Sequence, residues 1–140
     1  MRPRTILTVA AVYLALLGLG FIFAPEAIGR GAVPENPPPA LIAYLRVFGS
    51  TFLGIAVMNW TARDAGPSPA RDSILLGNVV GFAVGPALDV WGLQTGARQL
   101  AMVFAIVHLC FALAFFSAWR ADRSRAKHVP PGASHGIHSP

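Results

Sequence analysis

Charged residues are scarce in this chain, and their scarcity argues against a soluble domain. Asp, Glu, Lys and Arg together make up 12% of the 140 residues, about half of the roughly 25% found in soluble proteins. Hydrophobic residues reach 54%. They are concentrated in long runs rather than spread along the chain as a soluble core would spread them. This composition favours an integral membrane protein.

Cysteine and acidic residues are also few. Cys110 is the single cysteine, which excludes an intramolecular disulfide and leaves the thiol to act as a small apolar residue. Six acidic residues stand against eleven Lys and Arg, for a formal net charge of +5. We do not interpret this excess as nucleic-acid binding. The cations lie at the ends of the apolar runs and in the connections between them, where they encode topology.

Four long apolar runs account for most of the sequence. A helix needs roughly 20 apolar residues to cross the hydrocarbon core of a bilayer. The first run is too long for a signal peptide and ends at a proline, so we interpret it as a retained helix. The sequence predicts an all-α fold, a four-transmembrane-helix antiparallel bundle over residues 1–119, and a disordered cytoplasmic tail over residues 120–140. The predicted spans are residues 5–24, 40–60, 74–93 and 97–119.

Lys and Arg are distributed unequally between the two predicted sides. Arg30 and Arg98 lie on one side, Arg46 lies within a span, and the other eight cations share the opposite side. Cytoplasmic loops carry the excess of Lys and Arg, so both termini are predicted in the cytoplasm. Ten Arg against one Lys, with abundant Ala and Gly, indicate a GC-rich bacterium and therefore its cytoplasmic (inner) membrane. The eight inner cations are Arg2, Arg4, Arg63, Arg71, Arg120, Arg123, Arg125 and Lys127.

Two ionisable residues interrupt the apolar runs. Arg46 in the second span lies about six residues, or roughly 9 Å, below the outer end of its helix. Asp89 in the third span lies a similar distance below the same surface. A charge within lipid usually faces the bundle interior and finds a partner there. Their opposite signs and matched depth predict an ion pair. The pair either fixes the helix register or also lines a ligand-binding pocket, and the sequence leaves both open.

Small residues recur at every fourth position of the second and third spans, on the faces that carry Arg46 and Asp89. Such spacing lets two helix backbones approach closely in lipid. We therefore expect these faces to form the contact between the two helices. The residues are Ser50 and Gly54 in the second span and Gly77, Gly81 and Gly85 in the third.

Three further polar residues lie within the spans. The same alignment places Asn59 near Asn78, close to the inner surface. His108 is the only histidine in a span, and it lacks the partners that a haem or zinc site requires, so we predict no metal and no cofactor. Two interpretations of His108 stay open. It donates a hydrogen bond to the head group of a quinone or an isoprenoid lipid, or it bonds to a neighbouring helix.

Short motifs give the chain a resemblance to a known group. The first span ends in Phe23-Ala-Pro-Glu, the second opens with Leu45-Arg-Val-Phe-Gly49, and the fourth is aromatic. With the stretch from Gly77-Asn78 to Gly85, these features resemble small bacterial four-helix membrane proteins of the DoxX-like group. The resemblance covers roughly residues 5–119 and implies a four-helix bundle. It implies no catalytic residues.

Two classes of function follow from these observations. The first is a non-enzymatic accessory component of the membrane, or a binder of a lipid or quinone between its helices. The alternative is a small transporter or channel subunit that works as an oligomer. No arrangement of catalytic residues is legible, so an enzyme is disfavoured. The expected partners are the lipid bilayer, a quinone or isoprenoid lipid, and a membrane protein or second copy of the chain, but not nucleic acid.

Overall fold

The structure, a computed structural model, describes residues 2–94 and 101–127. Four of its helices are long and apolar enough to cross a membrane, which confirms the prediction of an all-α protein with four candidate spans. A short helix follows the first of them. The helices are α1 (Pro3–Phe23), α2 (Pro25–Ile28), α3 (Pro39–Ala62), α4 (Pro69–Gln94) and α5 (Ala101–Lys127).

The helix boundaries follow from the prolines. Each helix from α1 to α4 begins with a proline, which suits the first turn because proline lacks an N–H and its φ is already helical. At the start of α4 the side chain of Ser68 accepts a hydrogen bond from the backbone N–H of Arg71 at 3.2 Å. This cap starts α4 several residues before the predicted boundary at residue 74.

The last helix is longer than expected. α5 continues through Lys127, so the first part of the segment that we predicted to be disordered is helical. The rest of the predicted tail, residues 128–140, lies outside the described residues. The extension matters because it brings Asp122 into the helical region.

The long helices pack mainly in two pairs, α1 with α3 and α4 with α5, and contacts between α1 and α5 join the pairs. The backbones of α1 and α3 come close together at Gly18 and Gly49. A Cβ on Gly18 would lie 2.8 Å from the carbonyl oxygen of Gly49, and a Cβ on Gly49 would lie 2.7 Å from that of Gly18. The two backbones therefore touch, and only glycine fits at either position.

The expected close packing of α3 against α4 along their small residues is wrong. These two helices share few contacts. A Cβ added at Gly54, Gly77 or Gly81 would meet nothing within 4 Å. Spacing of four residues marks a face where close approach is possible, but it does not say whether a neighbouring helix uses that face.

The other two residues of that predicted face have different surroundings. Ser50 is exposed, and its hydroxyl donates to the carbonyl oxygen of Val47 at 2.6 Å within α3. Gly85 does lie at a helix contact, but its neighbour is His108 of α5. Gly85 thus lies at the contact between α4 and α5, not between α3 and α4.

The buried face of α4 alternates polar and apolar side chains. Arg71, Asn78 and Asp89 are buried on it, and Leu75 and Phe82 are buried between them. The five positions follow helical spacing of three, four or seven residues. Each polar residue meets a partner from another helix, so α4 carries three separate polar clusters through the apolar interior.

Candidate functional site

The first cluster, in the C-terminal part of α4, joins Asp89 of α4 to His108 of α5. The Nδ1 atom of His108 lies 3.3 Å from Oδ2 of Asp89, and Asp89 is only 8% exposed. The predicted Arg46–Asp89 pair is wrong. Arg46 is exposed, and it forms no ion pair within the described residues. Because α3 and α4 contact each other little, equal depth does not bring these two side chains together.

Tyr13 of α1 contacts the other ring nitrogen of His108. Its hydroxyl lies 3.4 Å from Nε2 of the imidazole, and its ring stacks on Phe111 with a centroid distance of 5.0 Å. Both nitrogens of His108 therefore face protein groups, one on α1 and one on α4. Neither the sequence spacing nor the charge pattern pointed to Tyr13, because the contact depends on how α1 packs against α5.

Gly85 makes room for the imidazole. A Cβ at this position would lie 3.0 Å from Nδ1 of His108, which is tighter than ordinary van der Waals contact. The ring thus rests against the backbone of α4, one helical turn from Asp89. Pro86 follows directly and cannot donate a backbone hydrogen bond.

A cavity of about 250 Å³ opens beside the Asp89–His108 pair. Its walls come from all five helices and are apolar or aromatic apart from these two side chains. Three of the phenylalanines contact one another, with ring centroids 4.6 to 6.0 Å apart. The lining residues are Leu17, Phe21, Ile28, Phe48, Phe52, Gly85, Leu88, Asp89, Phe104 and His108.

The middle cluster is an amide pair. Asn59 of α3 donates to Asn78 of α4 at 3.0 Å, and Asn78 donates back at 2.8 Å. The sequence alignment placed these residues near each other, and the structure brings them into direct contact. Asn59 is fully buried. The exchange satisfies two amides in an apolar interior, where an unpaired amide would be costly.

The third cluster, near the start of α4, was not predicted from the sequence. Arg71 donates from Nε to Oδ2 of Asp122 at 2.9 Å, and a second nitrogen of the same guanidinium contacts the other carboxylate oxygen. A third nitrogen reaches the carbonyl oxygen of Ala65. The sequence pattern predicts Arg71 as a cation outside the spans and Asp122 as part of a disordered tail. Asp122 lies four residues after buried Ala118, and this helical spacing was the signal available in the sequence.

The described residues hold no group of three or more His, Cys, Asp or Glu side chains that could bind a metal ion. Cys110 is exposed on α5. The chain matches no protein-family model, no curated protein and no solved structure. The candidate site for a ligand is the cavity with Asp89 and His108 in its wall.

Proposed function

We propose that this protein binds an isoprenoid or quinone-type lipid between its helices and serves the membrane as a non-enzymatic accessory component. The observation that carries the proposal is the cavity beside Asp89 and His108. Small-molecule sites are concave and mostly apolar, with a few polar groups that fix the orientation of the ligand. A cavity with several phenylalanines and one polar pair has this composition.

The polar pair itself supports a ligand. Ionisable residues within a membrane span are costly and are kept mainly where they have a function. Asp89 and His108 lie in candidate spans, and they are the polar side chains in the wall of an otherwise apolar cavity. A purely structural bond between α4 and α5 would not require space beside it.

The interior of the single chain favours a binder over a channel. Leu75, Phe82 and Phe115 are buried in the apolar core, and on α4 Leu75 and Phe82 separate the three polar clusters. A conducting path needs polar groups or water along its length. Within the described residues the clusters are isolated from one another by these apolar side chains.

We also propose the orientation that the charge count predicts, an antiparallel bundle with both termini in the cytoplasm of a bacterium. Arg4 near the start of α1 pairs with Asp64 after α3 at 2.9 Å. At the inner turn, the guanidinium of Arg63 lies 3.6 Å from the ring centroid of Trp60, an arrangement typical of a membrane–water interface. A DoxX-like membership is part of the same proposal.

The test compares two glycine substitutions one helical turn apart. Gly85→Leu places a side chain against His108, whereas Gly81→Leu extends into open space. We expect the wild type and Gly81→Leu to retain a defined isoprenoid or quinone lipid through purification in mild detergent, as measured by mass spectrometry. Gly85→Leu should lose it while remaining folded by circular dichroism. Equal lipid content in all three proteins would contradict the proposed site.

A further inference from the structure

A second cavity, of about 290 Å³, lies between α1, α3 and α4. The side chain of Phe52 is in the wall of both this cavity and the first one beside Asp89 and His108, so the two spaces adjoin at this ring. Apart from one amide, the side chains that line the second cavity are apolar. They belong to Leu14, Phe52, Ile55, Met58, Asn78 and Phe82, and Gly77 and Gly81 complete the wall.

Glycines at every fourth position of α4 lie along both cavities. Gly85 is in the wall of the first cavity, and Gly81 and Gly77 are in the wall of the second. Residues four apart share one face of a helix. On this face, a Cβ added at Gly81 or Gly77 would meet nothing within 4 Å among the described residues, and α3 makes few contacts with α4. The glycine face of α4 therefore borders open space from the first cavity to the second.

The two cavities differ in polarity. The first has the ionisable side chains of Asp89 and His108 in its wall. In the second, Asn78 uses its amide group within the protein: Nδ2 donates to Oδ1 of Asn59 and to the carbonyl oxygen of Ile74, both at 2.8 Å, and Oδ1 accepts from Asn59 at 3.0 Å. Both N–H groups of this amide are thus engaged. An amphiphile that occupied both cavities would place its head group in the first and its chain in the second.

This direction is also that of a lipid within one leaflet. Asp89 lies five residues, or about 8 Å, from the C-terminal end of the 26-residue helix α4, and Gly81 lies near the middle of that helix. A bilayer lipid likewise has its head group near the surface and its chain directed at the mid-plane. The path from Asp89 to Gly77 is about 18 Å along the helix axis, which is slightly more than half of the roughly 30 Å hydrocarbon thickness.

We infer that one long-chain lipid spans both cavities, with its head group beside Asp89 and His108 and its chain along the glycine face of α4 as far as Gly77. This inference rests on the proposed function and specifies the length of its ligand. A chain of about 18 Å occupies both cavities, whereas a chain half as long leaves the second one empty and forgoes its dispersion contacts. The site therefore binds long chains more tightly than short ones.

The size of the second cavity favours a lipid chain over a protein segment. A helix with its side chains is about 10–12 Å across, which is too wide for a space of about 290 Å³ between three helices. A single hydrocarbon chain is narrow enough to enter it. A lipid chain therefore suits this space better than a helix from a second copy of the protein.

The experiment uses three alcohols that share a head group and differ in chain length: geraniol, farnesol and geranylgeraniol. Each is added to the purified protein in detergent, and the thermal midpoint is followed against ligand concentration, which gives the apparent dissociation constant. Gly77→Leu places a side chain in the second cavity, at the far end of the path. We expect it to weaken the binding of geranylgeraniol about tenfold and that of geraniol by less than about twofold. Each ligand is compared between variants, so its partition into detergent cancels.

Two further variants complete the comparison. Gly54→Leu adds the same side chain to α3, at a glycine that also has open space around it and lines neither cavity. It should bind all three alcohols as the wild type does. Gly81→Leu blocks the second cavity one helical turn closer to Asp89 and leaves the first cavity free. It should keep the head group bound, and with it the lipid, but weaken the binding of farnesol as well as geranylgeraniol.

The outcomes separate this inference from the proposed function. Equal weakening of all three alcohols by Gly77→Leu, or no weakening of any, would overturn the inference and leave the lipid site to the Gly85→Leu result. A change in the oligomeric state of Gly77→Leu, measured by light scattering, would also overturn it, in favour of a second copy on this face. Binding of none of the alcohols to the wild type would overturn the inference. Together with unchanged lipid content in Gly85→Leu, it would overturn the proposed function as well.

Discussion

Arg71 and Asp122 form a buried ion pair near the start of α4. Both side chains are buried, and the guanidinium contacts both carboxylate oxygens and a backbone carbonyl. Removing two charges from water is costly, and the mutual attraction offsets that cost only when the geometry is good and the remaining donors are satisfied. The pair meets these conditions. It also connects α4 to the part of α5 that extends beyond the predicted span.

Removing one partner of this pair should be strongly destabilising. Asp122→Leu leaves the guanidinium of Arg71 buried without its carboxylate, and we expect a loss of about 3–5 kcal/mol in the free energy of unfolding. Asp64→Leu removes an exposed carboxylate that pairs with Arg4 and Arg63 and should cost about 1 kcal/mol or less. Thermal and denaturant unfolding in detergent would measure both losses. A loss at Asp122 no larger than the loss at Asp64 would contradict the buried pair.

The Asn59–Asn78 exchange is the second pair that can be tested at the residue scale. A double-mutant cycle with Asn59→Leu and Asn78→Leu isolates the coupling between them. Interhelical hydrogen bonds in membrane proteins contribute about 0.6 kcal/mol on average and up to about 1.7 kcal/mol. We expect a coupling of about 1 kcal/mol, since two bonds are exchanged. Additive effects of the two substitutions would mean that the amides do not bond to each other.

At the scale of elements, the crossing of α1 and α3 depends on two glycines that the sequence pattern did not single out. Gly49 lies in the Leu45–Gly49 motif, and Gly18 lies near the end of α1. Their backbones touch. The sequence shows small residues at intervals of four along one helix, but it does not show which other helix packs against them. Contacts between helices depend on how each helix is rotated about its axis, and periodicity alone does not fix that rotation when most faces are apolar.

A methyl group at this crossing should separate the two helices. Gly49→Ala places a Cβ against the backbone of Gly18, which cannot move as a flexible side chain would, and we expect a loss of about 1–3 kcal/mol. Gly54→Ala lies on the same helix, where an added Cβ meets nothing within 4 Å. It should leave the stability unchanged or raise it slightly, because alanine favours helix. Thermal unfolding of both variants provides the comparison, and an equal loss in both would refute the backbone contact.

At the scale of the whole molecule, composition was enough to predict four candidate spans, because a helix that crosses a bilayer must satisfy its backbone internally and expose apolar side chains. The polar interior was harder to predict. Asn59 and Asn78 were aligned correctly by depth, whereas Asp89 was assigned to Arg46 instead of His108. The position of a residue along its helix determines its depth in the bundle. Which side chain it meets at that depth depends on how the helices pack, and α4 packs mainly on α5, with few contacts to α3.

The proposed orientation gives a prediction for the intact protein in its membrane. Single cysteines replace Ser68, Ser124 or Asn36 in a Cys110→Ala background. Cysteines at positions 68 and 124 should react with a membrane-impermeant thiol reagent only after the cells are opened. The cysteine at position 36 should react in intact cells. Labelling of position 68 in intact cells would overturn the orientation.

The central claim is that the cavity beside Asp89 and His108 holds a lipid, and photo-crosslinking in membranes tests it most directly. An isoprenoid alcohol with a diazirine in its chain would be bound, activated by light and mapped by peptide mass spectrometry. We predict labelling concentrated at Phe21, Phe52 and Phe104, which line the cavity and are not exposed, and abolished by excess unlabelled farnesol. Labelling spread over exposed positions such as Leu16 and Leu113, without competition by farnesol, would contradict the claim.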